Sequence, residues 1–464
     1  MTVKYHSSRG RNLVIWVAIF AMLALVWWYR PVDQNGDEVE GQTDLEFTGP
    51  EGGRVAVSDP VEDGEVGTQP QSDSTAKSNA LLQRHNKKGL KAMRGKDYAM
   101  AAEQFRAALD LDPTHETLQL NLARALTRLG QTEIKLGKAQ QALAHLEEAV
   151  AINLDAGNSE SALAQAWMSL GQRQRAAELV AEVLQLHPKC KLALKVQAEI
   201  AFMEGELNLA VSSLQLASDL QPDDVVLANR LKFFKSEQDI LTNFLRVRST
   251  RFDCMYDATN PAIQPYLQQL LLDLEEASDA VNQVLGLQPS DRLLVLLLSP
   301  KDYVAGAPNW SNGLYDGRIR VPFDGSRAPG DNLRATFRHE YTHAALHRVG
   351  PSLPTWLHEG IAQFVEGKDW QRSRSFLQNN PSHMPTLTQL QGNWTEMTDS
   401  NRVQAAYAYS LSFHYWFVEQ FGNDALATLV QAVSTQGPID AFQFSFGESV
   451  ESLDQRHRAL VLAN

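Results

Sequence analysis

The hydrophobic and polar residues are distributed unevenly along this chain, and the first distinct segment is apolar. Residues 13–29 contain no charged side chain, and as a helix they would span about 25 Å, close to the thickness of a bilayer core. Basic residues precede this segment, and Trp27, Trp28 and Tyr29 end it with side chains typical of a membrane interface. We therefore predict a transmembrane signal anchor at 13–29, with residues 1–12 in the cytoplasm. A cleaved signal peptide is the alternative, but the apolar run lacks an Ala-x-Ala site.

The next segment, residues 31–80, has almost no periodic apolar pattern. It contains twelve acidic residues against two basic ones, together with seven glycines and four prolines. Like charges repel one another, and too few apolar side chains are present to form a core. This composition predicts an acidic disordered linker.

Small and apolar residues recur at helical spacing between residues 81 and 240. The recurring sets are Ala101, Phe105 and Ala108; Ala142, Leu146 and Ala149; Ala176, Val180 and Val183; and Ala210, Leu214 and Ala217. Equivalent positions lie 41, 34 and 34 residues apart, so the second unit is seven residues longer than the others. The period resembles that of the tetratricopeptide repeat. This resemblance implies an all-α solenoid of paired helices with a groove that binds a partner protein; a helical array with a purely structural role is the alternative.

Beyond residue 240 the pattern changes to short strands followed by helices. Strand-like runs cover residues 244–248, 252–256, 292–298 and 318–323, and an amphipathic helix covers 261–285. From Asp331 onward the pattern is almost wholly helical. This order predicts a separate α+β domain over residues 241–464.

Composition narrows the possible partners and metal ligands. The 464 residues carry 42 basic and 55 acidic side chains, a formal charge of −13, of which 2 − 12 = −10 belongs to the linker. We find no long basic stripe, which argues against a nucleic-acid partner. Cys190 and Cys254 lie far apart and suggest neither a disulfide scaffold nor a thiolate zinc site. Any metal site must therefore use histidines and carboxylates.

The helix predicted from Asp331 carries the residues with the clearest chemistry. His339 and His343 are four residues apart, so both imidazoles can reach one zinc ion from the same face. Glu340 lies beside them and can accept a proton from water. His347 lies about 12 Å beyond His339 along a continuous helix, too far to share that ion.

A second predicted helix begins near Pro354 and carries Glu359. A catalytic zinc takes three protein ligands and leaves a fourth position open, and the two histidines with Glu359 satisfy that count. His358 is excluded because neighbouring helical residues diverge by about 100°. Gln363, one turn after Glu359, either is solvated or orients a ligand imidazole.

The phrases HEYTH (339–343) and WLHEGIAQF (356–364) resemble those of the gluzincin metallopeptidases of the thermolysin and aminopeptidase N type, and particularly the peptidase MA-like domains. The resemblance covers about residues 242–464. It implies that His339, His343 and Glu359 bind Zn²⁺ and that Glu340 is the general base for hydrolysis of a peptide bond.

The resemblance also implies two further parts of the site. One is an oxyanion-stabilising tyrosine from a later helix, for which Tyr407 and Tyr409 are candidates; the spacing to Ser410 favours Tyr407, and core packing is the alternative for both. The other is an edge strand within residues 312–322 that pairs with the substrate backbone. This strand lacks the Gly-x-Met-Glu-Asn phrase of aminopeptidases, which favours an endopeptidase.

Together these observations predict a membrane-anchored, single-pass zinc metallopeptidase with its catalytic domain outside the cytoplasm, in the periplasm if the cell is Gram-negative. Its repeats would recruit a substrate or partner protein. The alternative from another class is an inactive repeat scaffold or adaptor that retains a peptidase fold. The three expected zinc ligands and the expected general base are all present, which favours the enzyme. Serine hydrolases and nucleotide-binding proteins are excluded because neither a Gly-x-Ser-x-Gly motif nor a phosphate loop occurs.

Overall fold

The computed structural model describes residues 73–152, 157–287, 291–306, 313–349, 353–392, 394, 397 and 399–463. In sequence, the chain divides into two compact units between Ala125 and Leu126. The predicted cytoplasmic segment 1–12, the anchor 13–29 and residues 31–72 of the linker lie outside the described residues. Within the described part of the chain, none of the helices is long and apolar enough to cross a membrane.

Nine helices occupy the described residues between 73 and 240. They are α1 (Asp73–Arg94), α2 (Tyr98–Leu109), α3 (Glu116–Lys135), α4 (Ala139–Ile152), α5 (Asn158–Ser169), α6 (Arg173–Leu186), α7 (Lys191–Met203), α8 (Leu207–Asp219) and α9 (Val225–Ile240). The predicted solenoid of paired helices is confirmed. Helix α1 begins inside the predicted linker, because residues 73–80 form its first two turns.

The first compact unit shows how the repeat positions are used. An added Cβ at Gly89 on α1 would lie 2.6 Å from the ring of Phe105 on α2, so glycine allows these two helices to approach closely. Asp97 begins α2 by accepting a hydrogen bond from the backbone N–H of Met100 at 3.0 Å. Ala101, Phe105 and Ala108 are fully buried.

The same pattern continues in the second compact unit. The predicted repeat positions are buried on α4, α6 and α8, namely Ala142, Leu146, Ala149, Ala176, Val180, Val183, Ala210, Leu214 and Ala217. Helix α3 has 20 residues, whereas α7 has 13. This difference accounts for the seven additional residues of the second repeat.

A mixed sheet and nine further helices follow the repeats in the described residues. The strands are β1 (Phe244–Arg248), β2 (Phe252–Asp257), β3 (Leu293–Leu298), β4 (Leu314–Tyr315) and β5 (Ile319–Pro322). The helices are α10 (Leu267–Leu285), α11 (Pro300–Gly306), α12 (Asp331–Val349), α13 (Thr355–Glu366), α14 (Trp370–Asn379), α15 (Ser400–Phe421), α16 (Ala425–Gln436), α17 (Asp440–Phe446) and α18 (Val450–Ala463). The four strand predictions are confirmed, with ends that shift by at most one residue.

The sheet has the order β1-β2-β3-β5-β4. Strand β3 lies between β2 and β5 and is parallel to both. Strand β1 is antiparallel to β2, and β4 is antiparallel to β5. Among the strands of the described residues, β4 is therefore an edge strand, as predicted for this segment. It precedes α12 in the chain and lies against it, which places the sheet edge beside the helix that carries His339.

Strand β3 is buried on both faces, and this burial joins the repeats to the sheet. Its six residues are at most 2% exposed. Leu293, Val295 and Leu297 belong to the core formed with α10, α12 and α13, whereas Leu294, Leu296 and Leu298 belong to the core formed with α7, α8 and α9. The predicted boundary at residue 240 therefore separates two segments of the sequence that pack together, because the repeat helices and β3 form one core between them.

Candidate metal centre

Helices α12 and α13 carry the residues of the candidate centre, and α15 supports α13 from behind. Gly360 on α13 makes this packing possible, because an added Cβ would overlap the imidazole of His414 and lie 2.9 Å from the carbonyl oxygen of Ser410. His414 is buried, and its Nδ1 lies 2.7 Å from that same carbonyl. A side chain at residue 360 would therefore push α13 off α15 and displace Glu359 with it.

The structure brings His339, His343 and Glu359 together. The Nε2 atoms of the two histidines are 3.1 Å apart. Oε2 of Glu359 lies 3.5 Å from Nε2 of His339, and its Oε1 lies 3.6 Å from Nε2 of His343. These three residues form the group of potential metal ligands in the described part of the chain.

These distances suit a metal ion better than direct hydrogen bonds. A normal N–H···O bond measures about 2.7–3.2 Å, so both separations from Glu359 are long. Ligands at about 2.1 Å from a tetrahedral ion lie about 3.4 Å from one another, close to all three observed distances. Two imidazoles and one carboxylate are also a common donor set of catalytic zinc. The residues present therefore fit Zn²⁺.

The charges of the three residues are coupled. Burial alone would raise the pKa of Glu359, but the imidazoles of His343 and His339 outweigh burial and lower this pKa to about 2. Burial likewise would lower the pKa of His339, but the neighbouring carboxylates of Glu359 and Glu366 outweigh burial and raise this pKa to about 10. Burial lowers the pKa of His343 to about 4. His339 and Glu359 thus each favour the charged form of the other.

Glu366 is a functional candidate that the sequence analysis missed. Its Oε2 lies 2.9 Å from Nδ1 of His339 and 3.2 Å from Nζ of Lys368. A carboxylate on Nδ1 fixes the orientation of the ring and leaves Nε2 directed at the metal position. The signal was present, because Glu366 lies two helical turns after Glu359 and therefore on the same face of α13.

Glu340 lies beside the three potential ligands and is 5% exposed. Burial raises its pKa to about 7, with further raising effects from Glu359 and Glu366. A carboxylate with a pKa in this range can both accept and donate a proton near neutral pH. The edge of the sheet lies against it, since an added Cβ at Gly313 would be 2.6 Å from Oε1 of Glu340.

The two candidate tyrosines on α15 have different surroundings. Tyr409 is fully buried, and its hydroxyl lies 2.5 Å from Oδ1 of Asp454. Tyr407 is half-buried, and burial raises the pKa of its hydroxyl, with further contributions from Glu359 and Glu340. The Tyr407 hydroxyl is therefore influenced by the carboxylates of the candidate centre, whereas Tyr409 belongs to the core.

Gln363 has neither of the two roles that the sequence suggested. It is 3% exposed, and its Nε2 donates to the carbonyl oxygens of Glu359 and Tyr407, both at 3.2 Å. Gln363 therefore connects α13 to α15 at Tyr407.

The two remaining histidines near the centre also have defined neighbours. The ring of His358 lies 5.6 Å from that of His343, and the ring of His347 lies 5.9 Å from that of Tyr315 on the edge strand. Burial lowers the pKa of His347 to about 4 and that of His358 to about 3. Both are neutral side chains beside the potential ligands, and neither belongs to the group that could hold the metal.

Comparison with known families distinguishes the repeats from the C-terminal domain. Residues 331–463 match the peptidase MA superfamily. Residues 86–133 and 161–225 match one tetratricopeptide repeat family, and residues 123–155 match another. The first match contains α12, α13 and α15, and hence every residue of the candidate centre.

Curated relatives match over less than half of the chain. The proteins named DnaJ homolog subfamily C member 7 from Mus musculus and from Homo sapiens are each 26% identical over 220 residues. The match covers 42% of this chain and 44% of each relative. The chain thus spans less than half the length of these relatives.

Two solved structures of repeat proteins are also similar. A thermophilic tetratricopeptide protein of Thermus thermophilus, TTC0263, is 19% identical, with 33% of this chain and 99% of that chain covered and a TM-score of 0.25. A tetratricopeptide repeat protein from Parabacteroides merdae is 13% identical, with 71% and 99% covered and a TM-score of 0.30.

The family matches and the observed elements agree on the order of the parts. The chain therefore consists of tetratricopeptide repeats followed by a C-terminal domain of the peptidase MA superfamily.

Proposed function

We propose that this protein is a zinc metallopeptidase that hydrolyses peptide bonds. The observation that carries the proposal is the arrangement of His339, His343 and Glu359 at mutual distances that suit one tetrahedral ion. Glu340 lies next to them in a buried position. The match of residues 331–463 to the peptidase MA superfamily supports the same activity.

Each residue of the centre has a distinct role in this proposal. A zinc ion held by His339, His343 and Glu359 supplies Lewis-acid activation of water and of the scissile carbonyl. Glu340 accepts the proton of the attacking water and then donates it to the leaving amine. The Tyr407 hydroxyl donates a hydrogen bond to the carbonyl oxygen as negative charge develops on it. Glu366 holds the imidazole of His339 in orientation.

The edge strand supports cleavage within a chain. Strand β4 is the last strand of the sheet among the described residues, so a peptide can add to it by main-chain hydrogen bonds. Gly313, immediately before β4, lies against Glu340. A peptide paired with β4 would therefore pass beside the general base, and it needs no free amino terminus to do so. We accordingly propose an endopeptidase.

The repeats add an interaction module to the peptidase domain. Tetratricopeptide repeats present surfaces for other proteins, and we propose that the array recruits a substrate or a partner protein.

Zinc content tests the ligand set. The purified full chain is expected to hold one zinc ion per chain. In Glu359→Gln the zinc content should fall well below this value, because a neutral amide is a poorer zinc ligand than a carboxylate. The matched control is Glu419→Gln, since Glu419 is exposed on α15, and it should retain the parental zinc content by elemental analysis. Equal zinc in Glu359→Gln and the parent would remove Glu359 from the site.

Turnover tests the chemistry and separates an enzyme from an inactive scaffold. Glu340 is not a ligand, so Glu340→Gln should retain zinc and lose turnover by about 10²–10⁴-fold, the usual contribution of a general base. The measurement is cleavage of an unfolded protein or a peptide library by the full chain. An inactive parent, or a variant that cleaves as fast, would favour the repeat scaffold instead.

The two tyrosines are expected to respond in opposite ways to removal of the hydroxyl. Tyr407→Phe should lower kcat by about 10²-fold, as loss of an oxyanion donor does, and leave the thermal midpoint unchanged. Tyr409→Phe should lower stability by about 1–3 kcal/mol, because Asp454 loses a buried partner, and leave kcat nearly unchanged. If kcat fell further in Tyr409→Phe than in Tyr407→Phe, Tyr409 and not Tyr407 would be the oxyanion donor.

We also propose that residues 13–29 anchor the chain in the cell membrane with the repeats and the centre outside the cytoplasm. The support is the uncharged run of 17 residues with basic residues on its amino-terminal side. Protease added to intact spheroplasts should then digest both the repeats and the peptidase domain. Protection of these parts would contradict the proposed orientation.

A further inference from the structure

Four buried charged side chains connect the last repeat helix to the edge of the sheet. Glu237 on α9 accepts a hydrogen bond from Nη2 of Arg318 through its Oε2, and one from Nη1 of Arg320 through its Oε1, both at 2.9 Å. Asp316, in the turn between β4 and β5, lies 3.3 Å from Nη2 of Arg318 and 3.5 Å from Nη1 of Arg320. The four side chains are between 0% and 8% exposed.

The two arginines occupy the face of the sheet that contacts the repeats. Ile319 and Val321 alternate with them along the strand and belong to the core shared with α12. On the other face, the guanidinium of Arg318 lies 3.8 Å from the ring centre of Phe202 on α7. Gly317, between Asp316 and Arg318, has φ of +94°, and an added Cβ would lie 3.1 Å from Cε of Met203. The β4–β5 hairpin therefore contacts α7 as well as α9.

Stability alone does not explain charges at these positions. Desolvation of buried ions offsets much of their attraction, and apolar side chains of similar volume are often as stabilising. Strand β3, beside β5, has leucines on the same face. The ion pairs instead define the position of the hairpin, because each guanidinium bonds its carboxylate partners only within a narrow range of distances and angles. The network therefore fixes where the hairpin lies relative to α9.

The position of the hairpin determines the position of the proposed substrate strand. Arg320 is the register partner of Leu314, and Ile319 is the partner of Tyr315. Gly313 precedes Leu314 directly and lies against Glu340. A change in the position of Arg320 would therefore be transmitted through one strand pair to the sheet edge beside the general base.

We propose that Glu237, a residue of the repeat array, is a positioning residue for peptide hydrolysis. It holds β5 and hence the edge strand β4 at the place where a substrate backbone can pair beside Glu340. This inference rests on the proposed peptidase function. It assigns the last repeat helix a second task besides recruitment, namely support of the substrate-binding edge.

The test is Glu237→Gln in the full chain, assayed on peptides long enough to extend along β4. We expect KM to rise about tenfold while kcat stays within about threefold, since backbone pairing contributes equally to ground-state and transition-state binding. Zinc content should remain at the parental value. Amide hydrogen exchange should be faster in residues 313–323 and unchanged in α15.

Glu199→Gln is the matched control. Glu199 on α7 is a buried repeat carboxylate that holds Arg230 through two hydrogen bonds, at 2.8 and 2.5 Å, and neither residue is part of the hairpin network. The Glu199→Gln variant also loses a buried ion pair, so its stability should fall as that of Glu237→Gln does. Its KM and the amide exchange of residues 313–323 should stay at parental values. If Glu237→Gln does not fold, Glu237→Gln with Arg320→Gln restores the charge balance and should show the same rise in KM.

The outcomes separate this inference from the proposed function. An active parent whose KM and hairpin exchange are unchanged in both Glu237 variants would overturn the positioning role and leave the peptidase assignment intact. An equal rise of KM in Glu199→Gln would also overturn it, because general destabilisation would then be the cause. A parent without Glu340-dependent turnover would overturn the proposed function and this inference with it.

Discussion

Burial of strand β3 on both faces is the constraint on which the rest of the second compact unit depends. One face packs on the helices that carry the candidate centre, and the other packs on repeat helices α7, α8 and α9. Removing the repeats would expose three leucines, each of which contributes about 1.5–3 kcal/mol when buried. The repeat helices therefore form the second covering layer over the parallel strands of this mixed sheet, a layer that parallel strands require. This explains why repeat and peptidase segments form one compact unit.

Two glycines then set how closely the elements approach at the centre. Gly360 lets α13 pack against His414 on α15, and Gly313 lets the sheet edge reach Glu340. In both places a single methyl group would separate parts whose distances matter at the scale of about 1 Å. Glu359, Glu340 and the edge strand can therefore lie close together because residues 360 and 313 have no side chain. The site thus depends on these two glycines as well as on its potential ligands.

The sequence predicted those features that depend on short separations along the chain. His339 and His343 share a face because they are four residues apart, and the strands followed from local apolar runs. Glu237 lies 81 residues before Arg318, and their contact depends on how α9 packs against the sheet, which no local sequence pattern contains. The parallel order of β2, β3 and β5 was missed for the same reason. Tyr407 and Tyr409 have nearly identical local contexts, and tertiary packing alone distinguishes them.

The charge distribution of the centre gives the final link between fold and chemistry. Glu340, Glu359 and Glu366 place three carboxylates around two imidazoles, and Lys368 and a proton on His339 offset part of that charge. Burial keeps Glu340 protonated more readily than an exposed glutamate, and the two neighbouring carboxylates strengthen this effect. A divalent cation among the ligands would act in the opposite direction and favour the ionised form of Glu340. The carboxylates that could attract a cation are thus also those whose charge the cation would compensate, so metal binding and ionisation of Glu340 would be coupled through the same carboxylates.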